Sequence, residues 1–237
     1  MDLEVRENPV DPAIAWGIAL ATAIGLGVAL LWPRKATAGI QGQGTSWTYQ
    51  KWGNPAKAPV VAVGAATDPE VAAWLAQMRS YFTSVGIDIN LFDPSEFLVM
   101  EEAPGRPLAI PNPEYWPRMA QTIVLFLQPL RRQFGKPIRI YSGYRPEAYN
   151  NALANAADKS RHMWFEAVDF GPASGDGADS RELARLAAIR YVQYGKAWDA
   201  GMGIYGKTVP SIHIDTGHAF RDWEDTDYWT NLVSMAA

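Results

Sequence analysis

Two short stretches carry the residues with chemistry to offer. In Ser160-Arg-His-Met-Trp-Phe-Glu-Ala-Val-Asp-Phe170, His162 and Asp169 stand seven apart, a spacing that suits a loop entering a strand with both side chains converging. In Ser211-Ile-His-Ile-Asp215, strand alternation puts His213 and Asp215 on one face. His162, Asp169 and His213 together offer three protein ligands with a fourth position left for water, the pattern of a catalytic rather than a structural zinc site. Taken singly, each histidine reads as a satisfied structural residue. The weight comes from two of only three histidines falling in such contexts, the third being His218.

Composition narrows the alternatives. The chain has 237 residues, 48% hydrophobic and 19% charged, with ten Trp, ten Tyr and eight Phe. That is ample apolar surface for a sizeable core, and it excludes disorder as the dominant state. A net charge of −4 excludes a dedicated nucleic-acid binder. With no cysteine, disulfide scaffolds, thiolate zinc fingers and Cys nucleophiles are excluded.

Three stretches, in order and with fitting gaps, resemble the zinc D-Ala-D-Ala carboxypeptidase and endopeptidase family, which is similar to VanX-type dipeptidases, some phage endolysins and the Hedgehog fold. Lys136-Pro-Ile-Arg-Ile-Tyr-Ser-Gly-Tyr-Arg145 is like that family's strand ending in S-G-Y/F-R. Ser160-x-His162 with Ala167-x-Asp169-Phe170 is like S-x-H-x-x-G-x-A-x-D. Gly201-Met-Gly-Ile-Tyr205 leading to Ile212-His-Ile-Asp-Thr216 is like G-x-G-x-Y followed by V-H-V-D. The resemblance covers about residues 113–223. It implies zinc held by His162, Asp169 and His213. It also implies that Arg145 holds the substrate's terminal carboxylate or polarises the scissile carbonyl, with Tyr144 and Ser142 beside it in the substrate-binding group. A guanidinium fork suits a carboxylate in bidentate geometry; the alternative for Arg145 is a cap on the strand end.

The chain departs from the family pattern at two places. Many members carry Asp or Glu three residues before the last histidine as general base, and here that position is Pro210. Asp215 is the nearest substitute, either as base or as a group orienting a ligand, and His218 is a weaker candidate for base or oxyanion donor. Phe165 stands where the family often has Gly, so its ring either narrows the cleft or packs with Trp164; Glu166 faces either site or solvent.

The elements that must position these residues can be read from periodicity. Val71, Trp74, Leu75, Met78 and Phe82 predict a helix over Pro69–Val85, and Met119, Ile123, Phe126, Leu127 and Leu130 predict one over Pro113–Phe134 capped by Gly135. Residues 87–113, with five prolines, read as irregular. Further helices are expected over 146–157 and Ser180–Ala200. Strands are expected at Ile138–Tyr141, Ala167–Phe170, Gly203–Tyr205 and Ile212–Asp215. The expected fold class is α+β, a small antiparallel sheet with flanking helices, of the Hedgehog and D-Ala-D-Ala metallopeptidase type that the resemblance implies.

That domain, 68–237, is expected behind an N-terminal segment (1–12), a transmembrane helix (13–32) and a linker (33–67). Ala13–Trp32 is twenty residues without a charge, about 30 Å as a helix and enough to cross a bilayer core. Trp16 and Trp32 suit its two interfaces. A cleaved signal peptide is the rival, given Ala36-Thr37-Ala38, but Asp2, Glu4, Glu7 and Asp11 before the span oppose it, and the segment reads as a retained anchor. Gly17, Ala21, Gly25 and Ala29 recur every fourth residue and suit helix–helix association in lipid. Charge is acidic before the span and basic after it, which would place the domain in the cytoplasm and conflicts with a wall-degrading role outside an assembled particle. The expectation is a single-pass membrane protein with zinc as cofactor and peptidoglycan peptides as substrate, cleaving D-Ala-containing stems or cross-links, in a phage or virus particle or a bacterial envelope. The rival from another class is a non-catalytic structural or binding virion protein on the same fold.

Overall fold

The computed structural model describes residues 40–42, 45–47, 49–53, 62–65, 67–101, 105–154 and 156–235. All lie in one compact unit, Thr37–Ala236. The candidate membrane span at 13–32 lies outside the described residues, and among those described no helix is long and apolar enough to cross a membrane.

Two short antiparallel pairs precede the main sheet in the chain. β1 (Ile40–Gly42) pairs with β2 (Thr45–Trp47), and β3 (Ala62–Gly64) with β4 (Leu108–Ile110). The main sheet has five strands, β5 (Ile138–Ser142), β6 (Ala167–Pro172), β7 (Gly201–Tyr205), β8 (Ser211–Asp215) and β9 (Arg221–Glu224), in the order β5-β6-β8-β7-β9. The sheet is mixed rather than antiparallel: β9 runs parallel to β7. The sequence gives little warning of β9, because Arg-Asp-Trp-Glu shows no apolar alternation on this solvent-facing edge.

The helices follow from their caps and apolar stripes. In α1 (Pro69–Ser84) the Asp68 side chain accepts from the Glu70 amide, Pro69 opens the first turn, and Val71, Leu75, Met78 and Phe82 are buried. The predicted helix to Phe134 is instead α2 (Trp116–Thr122), a π-helical turn (Ile123–Leu127) and α3 (Gln128–Phe134). Pro129 explains the break, since it has no N–H for the Leu125 carbonyl and its ring crowds that oxygen. Arg190 takes the freed oxygen, donating from Nε at 3.0 Å and also from Nη2. Its guanidinium lies beside the stacked rings of Tyr194 and Trp198, 5.3 and 5.1 Å from their centroids. Arg190 belongs to α5 (Gly177–Tyr194), which starts at an Asp176 cap and gives way to a 3-10 turn, Gly195–Trp198, short of the expected Ala200.

Two expectations fail locally. The helix over 146–157 is a single turn, α4 (Glu147–Asn150). Asn150 Nδ2 donates to the Ala157 carbonyl at 3.1 Å, so this side chain closes a turn where a helix would need backbone bonds. Residues 87–113 are more ordered than their prolines suggest, carrying β4 and a 3-10 turn, Pro94–Leu98, held by a capping box between Asp93 and Glu96. α6 (Thr226–Met235) ends the described chain.

Candidate metal centre

Five strands place five residues in one line across the sheet: Ser142 opposite Asp169, Asp169 opposite His213, His213 opposite Gly203, and Gly203 beside Trp223. Asp169 and His213 are therefore direct cross-strand neighbours. The third member, His162, comes from the 3-10 turn Arg161–Trp164 that precedes β6.

Their polar atoms converge. His213 Nδ1 lies 2.7 Å from Asp169 Oδ1, His162 Nε2 lies 3.2 Å from Asp169 Oδ2, and the two ring nitrogens are 3.3 Å apart. All the donor atoms fall within 4.8 Å of one another. The remaining ring nitrogens fix the tautomers. His162 Nδ1 is 2.8 Å from the Gly143 carbonyl, which can only accept, so Nδ1 carries the proton and Nε2 turns its lone pair inward. His213 Nε2 donates likewise to Asp215 Oδ2 at 3.3 Å, freeing Nδ1. The electrostatics match a site built for a cation. Despite burial, His213 is pushed up to about 9 by Asp169 and Asp215. Asp169 is held well below the usual carboxylate range: burial alone would raise it, and the two histidines overcome that. Two imidazole lone pairs and a carboxylate with outer hydrogen bonds already made are a donor set that fits a divalent metal ion.

Glycines make room for the outer groups. Gly143, in the S-G-Y-R stretch, sits against the backbone of Phe97, where any Cβ would collide with the carbonyl. The close approach is secured by Gly143 N–H donating to Val99 O at 3.1 Å and Tyr144 N–H to Phe97 O at 2.6 Å. On β7, a Cβ at Gly203 would lie 2.5 Å from the Trp223 indole, and one at Gly201 would lie 2.6 Å from both Asp215 and Arg221. Side chains from β9 thus cross β7 to reach β8. The Trp223 ring stands 5.1 Å from that of His213. Arg221 grips Asp215 with Nη2 to Oδ2 at 2.8 Å and Nη1 to Oδ1 at 3.2 Å.

The group opens on a cleft of about 740 Å³ whose walls include Arg145, Lys159, Arg161, Tyr205, His218, Arg221 and Trp223 beside His162, Asp169 and His213. Arg145 is buried, its Nη2 donates to Ser160 Oγ at 3.1 Å, and its Nε has no partner. His218 also lines the cleft, with Nδ1 buried and unpartnered. Burial, then Arg161 and Arg221, lower its pKa, so the ring is neutral at pH 7. Asp215 is fully buried beneath His213 and does not line the cleft. Neither do Ser142 and Tyr144. Ser142 is fully buried, while Tyr144 packs edge-on to Phe165 at 5.9 Å and borders a second cavity, with its phenol pushed up to about 12 by burial.

The two residues without a settled place find one in the core. Phe165 adopts φ +54°, ψ 39°, the left-handed region that favours glycine, and its ring is fully buried away from the cleft. Glu166 faces neither site nor solvent. It pairs with Arg118 and, at 3.5 Å, with Arg161, while Thr122 Oγ1 donates to its carbonyl at 2.9 Å. The sequence reading gave no role to Tyr205, Arg221 or Trp223. Arg221 and Trp223 alternate along β9, but this four-residue polar edge strand carries no apolar pattern by which the sequence could reveal it.

Residues 90–215, a little over half of the chain, match the family model Peptidase M15. The matched span takes in Arg145, His162, Asp169, His213 and Asp215 and stops short of His218, Arg221 and Trp223. No curated protein matches the chain significantly.

Proposed function

The chain belongs to the peptidase M15 family, and from that premise we propose that it is a zinc peptidase hydrolysing peptide bonds of peptidoglycan, in D-Ala-containing stems or cross-links. The observation that carries this reading is the convergence of His162, Asp169 and His213 at the wall of a cleft that also holds Arg145. Zinc, when bound, lowers the pKa of a water ligand and polarises the scissile carbonyl. The protein's own groups do the rest. The Gly143 carbonyl and Asp215 hold the two imidazoles in the ligating tautomer. Arg145, flanked by Ser160, offers its fork to a substrate carboxylate. Asp169 is the sole carboxylate among the described residues lining the cleft, and His218 is the further titratable side chain there to which we assign the proton-accepting role. Asp215 acts through His213.

We further place the protein at a membrane through residues 13–32, self-associated along its small-residue row, in a phage or virus particle or a bacterial envelope. The alternative is a binding protein on the same fold without turnover. The absence of a second carboxylate among the described residues of the cleft walls favours it. Incubating the zinc-loaded chain, in detergent, with purified peptidoglycan and following released peptides by mass spectrometry against a chelated control separates the two. Zinc-dependent release supports the peptidase and shows which bond is cut. Zinc binding with no release supports the binding protein.

A further inference from the structure

Tyr205 ends β7, two residues beyond Gly203 and so on the same face as the line through Asp169 and His213. It is 40% exposed and lines the same cleft. Trp223 Nε1 donates to its phenolic oxygen at 2.8 Å. An indole N–H can only donate, so this bond fills a lone pair and leaves the phenol's own O–H uncommitted. The indole is fixed by the notch at Gly203 and by the His213 ring at 5.1 Å, so one rigid side chain spans from a ligand of the metal centre to the Tyr205 hydroxyl. Burial and the neighbouring Asp169 raise the phenol's pKa against the lowering effect of Trp223 and Arg145, which keeps the proton on at neutral pH.

We propose that Tyr205 contacts the substrate, its hydroxyl donating a hydrogen bond to the oxygen that gathers negative charge when the amide carbonyl is attacked, and that Trp223 is the positioning residue that aims it. This rests on the peptidase reading above. The phenol keeps its proton throughout, so no proton transfer is assigned to it. A donor aimed at the developing charge is worth more in the transition state than in the substrate complex.

The test measures binding as well as turnover. The zinc-loaded chain is titrated calorimetrically with a phosphinate analogue of D-Ala-D-Ala, whose tetrahedral anion mimics the attacked carbonyl, and separately with D-alanine. Tyr205→Phe keeps the ring and removes the O–H. It is expected to weaken phosphinate binding by ~10- to 100-fold and kcat by a similar factor, the worth of one hydrogen bond to a charged group, with zinc content and D-alanine affinity unchanged. Trp223→Phe is expected to lose less, and the double variant no more than Tyr205→Phe alone. Overturning outcomes are a parent that does not bind the phosphinate, or a Tyr205→Phe variant that binds it within about twofold of the parent. Additive losses in the double variant overturn the positioning role of Trp223. Tyr205-dependent phosphinate binding without peptide release sinks the peptidase reading, and with it the role in amide attack, and leaves Tyr205 only as a donor to a bound tetrahedral anion. Peptide release that survives Tyr205→Phe unchanged does the reverse.

Discussion

Asp169 and His213 face one another across two antiparallel strands, with Oδ1 of one 2.7 Å from Nδ1 of the other. Two of the three donors are therefore placed by strand register. A one-residue slip of β8 against β6 would turn His213 to the opposite face and dismantle the group. His162 is held differently, by its Nδ1 bond to Gly143 and by its own carbonyl accepting from the Arg145 amide at 3.2 Å. Arg145 and His162 are thus tied to one turn.

Each member of the group should be needed for the metal. His162→Ala, Asp169→Ala and His213→Ala are each expected to lower zinc affinity by at least ~100-fold, read by competition with a chromophoric chelator. Retention of parent-like affinity by any one of them removes that residue from the ligand set.

Asp215 offers a sharper distinction. Buried, bound by Arg221 and bonded to His213 Nε2, it has no oxygen at the cleft wall. Asp215→Asn should weaken zinc binding by ~10- to 100-fold, because the orienting bond is compromised. A variant that binds zinc like the parent but has lost turnover would show that Asp215 is the base after all.

The notch on β7 predicts a packing coupling. Gly203→Ala brings a Cβ against the Trp223 indole and should cost about 1–3 kcal/mol of stability by denaturant unfolding, with a changed near-ultraviolet tryptophan signal. Combined with Trp223→Ala, the substitution should cost much less than it does alone, because the clash is gone. Strict additivity would mean that the indole is not seated there.

Much of this site was legible in the sequence because its donors sit on periodic elements. His213 and Asp215 obey strand alternation, and His162 with Asp169 follows a turn-then-strand spacing. What alternation could not show is depth. Ser142, Tyr144 and Asp215 belong to the right stretches, yet burial and partners on other elements take them away from the cleft. Arg221 and Trp223 stayed hidden because a four-residue polar edge strand has no signal of its own and forms by pairing with β7. The break at Leu125 is local chemistry, written in Pro129, beneath an apolar stripe that runs on through it.

Glu166 should make stability depend on pH. Burial pushes its carboxyl from 4.5 up to about 7, even though Arg118 and Arg161 oppose the shift. A carboxyl with a folded pKa above its unfolded value binds more protons folded than unfolded, so stability is full below pH 4.5 and declines as pH rises toward 7. Gln mimics the protonated form and does not titrate. Glu166→Gln is therefore expected to gain on the parent between pH 4.5 and pH 8, by on the order of 3 kcal/mol in unfolding free energy. A variant that instead loses ground as pH rises would show that the two arginines outweigh burial.

Phe165 sets two costs against each other at one residue. Its left-handed backbone disfavours any side chain by about 1 kcal/mol, while its fully buried ring, packed on Tyr144, repays that several times over. Phe165→Ala loses the ring and keeps the strain, at about 3–5 kcal/mol. Phe165→Gly loses the ring and relieves the strain, so it should be the milder change by ~1 kcal/mol, the reverse of the usual order of glycine and alanine. Because the ring does not line the cleft, both variants should hold zinc like the parent wherever they remain folded. Thermal unfolding of the pair decides it: a glycine variant less stable than the alanine variant would mean that the backbone at 165 is not held in the left-handed region.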